Sequence, residues 1–220
     1  MKLRFTDKKD EGNGTWSFCF EPVASVSWLA GQSIRLELPR KTYGTGERRF
    51  TIASAPSEGR LQITTRLSDS SFKQSLANLK PGDEVQGHNI EGDFVWGDED
   101  GPRLFIAGGI GITPFRAMLA QAIKEQKRLN ATLVYVTSDV PPLFQAELNA
   151  WHSADPSLHV HYLPGKGLAL DNRSSMAAHW LQNLIYISGP KGMVDDIYTA
   201  LIKHGAAKQQ IKTDQFTGYA

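Results

Sequence analysis

The chain is short of cysteine, of long apolar runs and of any excess charge, and each shortage excludes something. Cys19 is its one cysteine, so no disulfide forms within it, and its own cysteines cannot ligate zinc or an iron–sulfur cluster. No apolar stretch approaches the roughly 18 residues of a membrane-spanning helix. The opening residues, Met1 to Asp10, lack the apolar core of a secretion signal. The 24 Lys and Arg stand against 23 Asp and Glu, and a net charge of +1 gives no reason to expect nucleic acid or an acidic membrane as partner. Internal repeats and low-complexity tracts are missing too. Histidines at 88, 152, 159, 161, 179 and 204 show no metal-ligand spacing such as HExxH, and His159 and His161 share one strand face in the manner of surface residues. These absences lead to the expectation of a cytoplasmic protein without a bound metal. Its 220 residues, 40% hydrophobic, suffice for one large domain or two small ones.

What the chain does have is concentrated at Leu104-Phe-Ile-Ala-Gly-Gly-Ile-Gly-Ile-Thr-Pro-Phe-Arg116. Leu104 to Ala107 reads as a buried strand. Glycines follow at 108, 109 and 111. Thr113-Pro114 then reads as a helix start, with a hydroxyl to cap and a proline suited to the first turn. Phe115, Met118, Leu119, Ala122 and Ile123 continue as a helical apolar stripe. Strand, glycine turn and helix N-terminus together can seat a diphosphate, because free N–H groups and the helix dipole favour its charge. An ordinary strand-to-helix turn has the same ingredients.

The two halves differ in rhythm. In the first, short strands follow one another: Trp16–Phe20, Ser33–Leu38, Phe50–Ala53, Leu61–Leu67 and Glu84–Gly87, with a short helix over Phe72–Leu79 that starts near Ser70 or Ser71. Close strands with glycine turns predict a closed or nearly closed antiparallel β-barrel. A polar, turn-rich stretch, Gly97–Pro102, marks a boundary. Beyond it, strands at 104–107, 132–137, 158–163, 184–188 and 211–213 alternate with helices at 114–128, 143–152, 174–182 and 192–203. That pattern predicts an α/β domain with a parallel, five-stranded, Rossmann-like sheet, whose ligands bind beyond the carboxyl ends of the strands. The domains are therefore set at residues 1–100 and 101–220.

Arg48-Arg-Phe-Thr-Ile-Ala-Ser54, then Gly109-Ile-Gly-Ile-Thr-Pro114, then Ser188-Gly-Pro-Lys-Gly-Met193 resemble, in order and spacing, the motifs of the ferredoxin–NADP reductase family. The resemblance covers nearly the whole chain. It implies a flavin-binding barrel in residues 1–100 and an NAD(P)-binding domain in 101–220. By it, Arg48 clasps a flavin phosphate with its guanidinium fork. Phe50 lies against the flavin ring, Thr51 offers a hydroxyl near flavin N5, and Ser54 supports the loop. Ser70-Ser71-Phe72-Lys73 resembles the second flavin-phosphate segment, with Ser70 and Ser71 both candidates, and Arg66 stands in the place of the family's basic residue on the preceding strand. Gly109, Gly111, Thr113 and Pro114 match the nicotinamide loop; the G-x-G-x-x-G fingerprint is not present. Ser188, Gly189, Pro190 and Met193 match the segment beside the hydride path, where many members have cysteine in place of Ser188. Asp214-Gln-Phe216 resembles the family's acid-x-aromatic ending. Phe216 then covers the flavin face, with Tyr219 as a second candidate, and Asp214 relays a proton together with Thr51 and Ser188.

The implied activity is hydride transfer from NADH or NADPH to bound FAD, FMN being possible, and onward transfer to an acceptor such as ferredoxin, flavodoxin, an oxygenase component or free flavin. A flavin-binding electron-transfer subunit that works only within a complex is the alternative. A flavin-free binding protein on the same scaffold is a third, disfavoured by Arg48 and the glycine loop. Asp139, in the loop Thr137–Pro141, stands about where members that prefer NADPH carry arginine, and its charge would repel a 2′-phosphate. Lys166 and Arg173 keep NADPH open.

Overall fold

Alternation along the first strands decides which faces are buried. Phe18 and Phe20, on one face of their strand, are fully enclosed together with Leu3, Phe5, Ile34, Leu36, Ile52, Ile63 and Val85. In this computed structural model, residues 1–38, 46–165 and 180–216 are described. They divide into two units: Met1–Trp96 with Arg116–Glu125, and Gly97–Phe115 with the described residues from Gln126 onward.

The first unit contains β1 (Lys2–Gly12), β2 (Thr15–Pro22), β3 (Ser33–Glu37), β4 (Glu47–Thr51), β5 (Leu61–Arg66) and β6 (Glu84–Glu91). They form one antiparallel sheet in the order β4-β3-β6-β1-β2-β5. Its two edges approach at a single bridge, Ile52 to Ile63, and the Ala53 N–H donates to the Gln62 carbonyl at 2.7 Å. The ladder goes no further, so the sheet curls like a barrel without closing. Helix α1 (Ser71–Ala77) adds Phe72 and Leu76 to the core.

Strand β1 has no counterpart in the sequence reading. After Phe5 it is almost wholly charged, and only Leu3 and Phe5 face the core. Register shifts at Phe5/Asp7 and Asp10/Gly12 break what alternation remains. Backbone pairing to β2 and β6, rather than apolar patterning, makes this stretch a strand.

The second unit contains β7 (Arg103–Gly108), β8 (Ala131–Thr137), β9 (Leu158–Pro164), β10 (Leu184–Pro190) and β11 (Ile211–Phe216), all parallel, in the order β11-β10-β7-β8-β9. Strand order reverses between β7 and β10, which makes their carboxyl ends the switch point of the sheet. Helix α2 (Ile112–Lys124) starts in this unit and from Arg116 onward is counted with the first; among the described residues the second unit also has α3 (Gln145–Ala154) and α4 (Lys191–Lys203). The predicted helix over 174–182 lies mostly outside the described residues.

Two details of α2 differ from the sequence reading. It begins at Ile112, because a 3-10 turn, Gly109–Gly111, leads straight into it. Thr113 is therefore already inside the helix, and its hydroxyl donates to the Ile110 carbonyl at 3.1 Å instead of capping an N–H. Pro114 sits in the first turn, where its missing N–H costs no helix bond. The helix stops at Lys124 rather than 128, since Gln126 takes a left-handed backbone, φ 56°.

Candidate functional site

Each unit carries its own group of the predicted residues. In the second, four glycines lie at the switch point. A Cβ on Gly111 would sit 2.2 Å from the Ser188 carbonyl oxygen and 2.8 Å from the Gly189 nitrogen. One on Gly108 would sit 2.4 Å from Met193 Sδ, and one on Gly189 would sit 2.7 Å from Met193 Cε and 3.2 Å from Gly108 Cα. These three glycines bring the glycine turn against the end of β10. Gly109 is different. Its φ is +53° and nothing lies within 4 Å of a Cβ built on it. Open space there lets an outside group approach the backbone.

Beside this turn Ser188 is fully buried, and its hydroxyl donates to Asp214 Oδ2 over 3.4 Å, a long bond between register partners on β10 and β11. Two residues on, Phe216 is half-buried and pairs with Pro190. Tyr219 lies outside the described residues, as do Lys166 and Arg173.

Asp139 follows β8, half-buried, with its N–H donating to Thr137 Oγ1 at 3.1 Å. Neighbouring Val140 is 83% exposed. Burial pushes the Tyr135 phenol upward, and the charge of Asp139 adds to that shift, so the carboxylate and the phenol feel each other electrostatically.

In the first unit Arg48 and Phe50 alternate onto one face of β4, both half-buried, and Thr51 ends the strand at 8% exposure. The Arg48 guanidinium lies 5.7 Å from the centre of the Phe72 ring and donates to the Glu47 carbonyl at 2.9 Å. Phe50 and Phe72 rings are 5.8 Å apart at 31°. Phe72 itself is 1% exposed and supports both from below. Ser70 is the N-cap of α1, its Oγ accepting from the Lys73 N–H at 3.4 Å, while Ser71 is the first helical residue and exposed. The Lys73 ammonium donates to the Arg66 carbonyl at 2.6 Å. Burial, then the nearby charge of Arg66, holds Lys73 below its ordinary value. Arg48, Arg66 and Lys73 with two serine hydroxyls form a donor set suited to a diphosphate. Ser54 is fully buried and holds the turn after β4: its hydroxyl donates to the Arg60 carbonyl at 2.8 Å and accepts from the Gln62 N–H at 2.9 Å.

The sequence reading passes over one pair, Glu58 and Arg116. The Arg116 side chain donates to the Glu58 carboxylate and, at 3.2 Å, to the Ala53 carbonyl. The available signal was a charge set inside the apolar stripe of α2. Cys19, by contrast, is buried, and burial pushes its thiol up to about 11. Among the described residues no three His, Cys, Asp or Glu side chains gather as a metal site, and no helix is long and apolar enough to cross a membrane.

Residues 105–199, which hold the parallel sheet's glycine turn and switch point, match the family model of the oxidoreductase NAD-binding domain. Its two-part fold is similar to that of ferredoxin–NADP reductases and related FAD/NAD-binding domains. It is 27% identical to a flavohemoprotein of Pseudomonas putida over 98% of this chain and 58% of that protein. It is 32% identical to methane monooxygenase component C of Methylosinus trichosporium over 62% of this chain and 40% of that one. Its fold superposes on the FAD/NAD-binding domain of a Vibrio cholerae nitric oxide dioxygenase with a TM-score of 0.84 at 20% identity, covering 98% of both chains. Ferredoxin-NADP+ reductase from Plasmodium falciparum gives 0.79 at 17% identity, over 98% of this chain and 95% of that one. The chain thus spans 58% or less of the first curated relatives it matches.

Proposed function

We propose that the chain is an NAD(P)H-dependent flavoprotein reductase, with FAD, or alternatively FMN, held by residues 1–100 and the nicotinamide coenzyme by residues 101–220. The observation that carries the reading is the glycine turn packed on the end of β10 at the switch point, inside the segment matched by the NAD-binding family model. Bound flavin supplies the redox chemistry, taking up a hydride and releasing electrons singly or in pairs. The side chains bind and orient. Arg48, Arg66, Ser70, Ser71 and Lys73 meet the flavin diphosphate. Phe50 stacks on the ring, with Phe72 as its support. Thr51 donates a hydrogen bond at N5, and Ser54 keeps the following turn in place. Gly109, at the start of α2, receives the coenzyme diphosphate, while Gly108, Gly111, Gly189 and Met193 shape the turn around it. Ser188 and Asp214 hold a proton near the reacting atoms, and Phe216 or Tyr219 is the ring that shields the flavin until coenzyme arrives. No side chain has to act as a nucleophile.

The acceptor we propose is a protein such as ferredoxin, flavodoxin or an oxygenase component, or else free flavin. Two relatives, the methane monooxygenase component and a Yersinia CDP-6-deoxy-L-threo-D-glycero-4-hexulose-3-dehydrase reductase, support this by their names. A second reading is a flavin subunit active only within a larger assembly. The test is a visible spectrum. The purified or flavin-loaded protein is expected to be yellow and to bleach with NADH or NADPH. Yellow protein that bleaches only with a partner present supports the second reading, and a chain that takes up no flavin rules out both.

NADH is expected to serve at least as well as NADPH, because the Asp139 carboxylate opposes a 2′-phosphate. Asp139→Arg should move the ratio of catalytic efficiencies toward NADPH by about tenfold, roughly 1.4 kcal/mol. A wild type that prefers NADPH tenfold, or a variant whose ratio stays put, would remove Asp139 as the discriminator.

A further inference from the structure

Arg116 stands in the apolar stripe of α2 at 7% exposure, yet it is a full charge. Two of its partners lie on one short stretch, the turn that follows β4. The guanidinium donates to the Glu58 carboxylate and to the Ala53 carbonyl at 3.2 Å. The same Glu58 oxygen accepts from the Ala55 N–H at 2.5 Å. Around this pair the turn is held again. Gln121 Oε1 accepts from the Ser57 N–H at 3.0 Å, and the Trp28 indole N–H donates to the Ser54 carbonyl at 3.4 Å.

A buried ion pair is weak evidence of stability, since two well-packed apolar side chains often serve as well. What an ion pair adds is direction. The planar guanidinium offers donors at fixed angles, and here they fix backbone atoms at Ala53 and, through Glu58, at Ala55. Ala53 is two residues beyond Thr51 and belongs to the stretch that bridges to β5. A shift of this turn is therefore a shift of the end of β4.

We propose that Arg116 and Glu58 are positioning residues for flavin. They lock the turn over residues 53–58, so that β4 presents Arg48, Phe50 and Thr51 in one geometry. The inference rests on the flavin reading above and goes beyond it, because neither residue belongs to the set that meets the flavin. It accounts for a charge buried where leucine or methionine would pack.

Arg116→Met, Arg116→Lys and Glu58→Gln, each loaded with flavin, test it. The readouts are the shape of the flavin visible bands, flavin affinity, and the stopped-flow rate of flavin reduction at saturating NADH, beside the melting temperature of each apoprotein. Arg116→Met is expected to alter the bands, weaken flavin binding and slow reduction roughly tenfold to a hundredfold, the scale of a small misplacement. Arg116→Lys should recover part of the rate, because it keeps the charge without the fork. Glu58→Gln should lose less than Arg116→Met, because its amide oxygen still accepts from the Ala55 N–H. If Arg116→Met fails to fold, the other two variants decide by the same readouts. Variants that melt earlier but keep the wild-type spectrum, affinity and reduction rate make the pair purely structural and overturn the proposal. A wild type that takes up no flavin overturns the flavin reading, and this inference with it.

Discussion

Gly111→Ala is expected to lower the melting temperature by about 4–10 °C, the equivalent of about 2–3 kcal/mol for overpacking in a chain of this size. The new Cβ would lie 2.2 Å from the Ser188 oxygen and 2.5 Å from its carbonyl carbon. Both are backbone atoms of a strand paired on each side, to β7 and to β11, so neither can swing away as a side-chain tip would. Either α2 backs off or β10 bends, and each move disturbs the glycine turn. Coenzyme affinity should fall along with stability. Gly109→Ala is the informative contrast. Its φ of +53° costs an L-residue roughly 1–2 kcal/mol, but the added methyl meets nothing. It should melt closer to wild type while losing coenzyme binding, if the diphosphate approaches there. Thermal unfolding followed by circular dichroism, with and without NADH, separates the two. Equal melting points for Gly111→Ala and wild type would refute the close-packing argument.

Arg48→Ala is expected to purify with little flavin. Removing one charge-assisted partner of a phosphate costs about 1.5–3 kcal/mol, a loss of about 10- to 150-fold in affinity. The side chain also lies over Phe72, so truncation uncovers part of the support beneath Phe50. Arg48→Lys should fall between the two, since it keeps the charge and loses the fork. Fluorescence titration of apoprotein with FAD gives the affinities. A folded Arg48→Ala protein that binds FAD as tightly as wild type takes Arg48 out of the flavin site.

Legibility in the sequence followed how locally each feature is encoded. The parallel strands were readable because a buried strand is apolar on both faces, as Leu104 to Ala107 is, and pairing does not alter that. The rhythm of strands and helices then led to the switch point where Gly108–Gly111 and Ser188–Gly189 come together. Strand β1 is hidden because its charged residues carry no apolar period, and one of its two partners, β6, lies far along the chain. Glu58 and Arg116 were hidden for a related reason. Glu58 looks like an ordinary surface charge, and Arg116, though set inside an apolar stripe, has no evident partner until the fold places the two together. The sequence shows the glycines without distinguishing their roles. Only the built structure separates Gly109, bordered by open space, from Gly111, pressed against β10.

The reversed strand order has a consequence for synthesis. Strand β7 is made early in its unit, yet one of its two neighbours, β10, lies far down the chain, with Arg103 waiting for Leu184. Parallel pairing over such a distance closes late, because the loop entropy must be overcome first. Until residues 184–190 emerge, the β10-facing edge of Leu104 to Gly108 has no partner, and such an edge invites another chain to add to it. A nascent chain halted before Leu184 would carry that sticky edge and no Ser188 backbone for Gly111 to rest on.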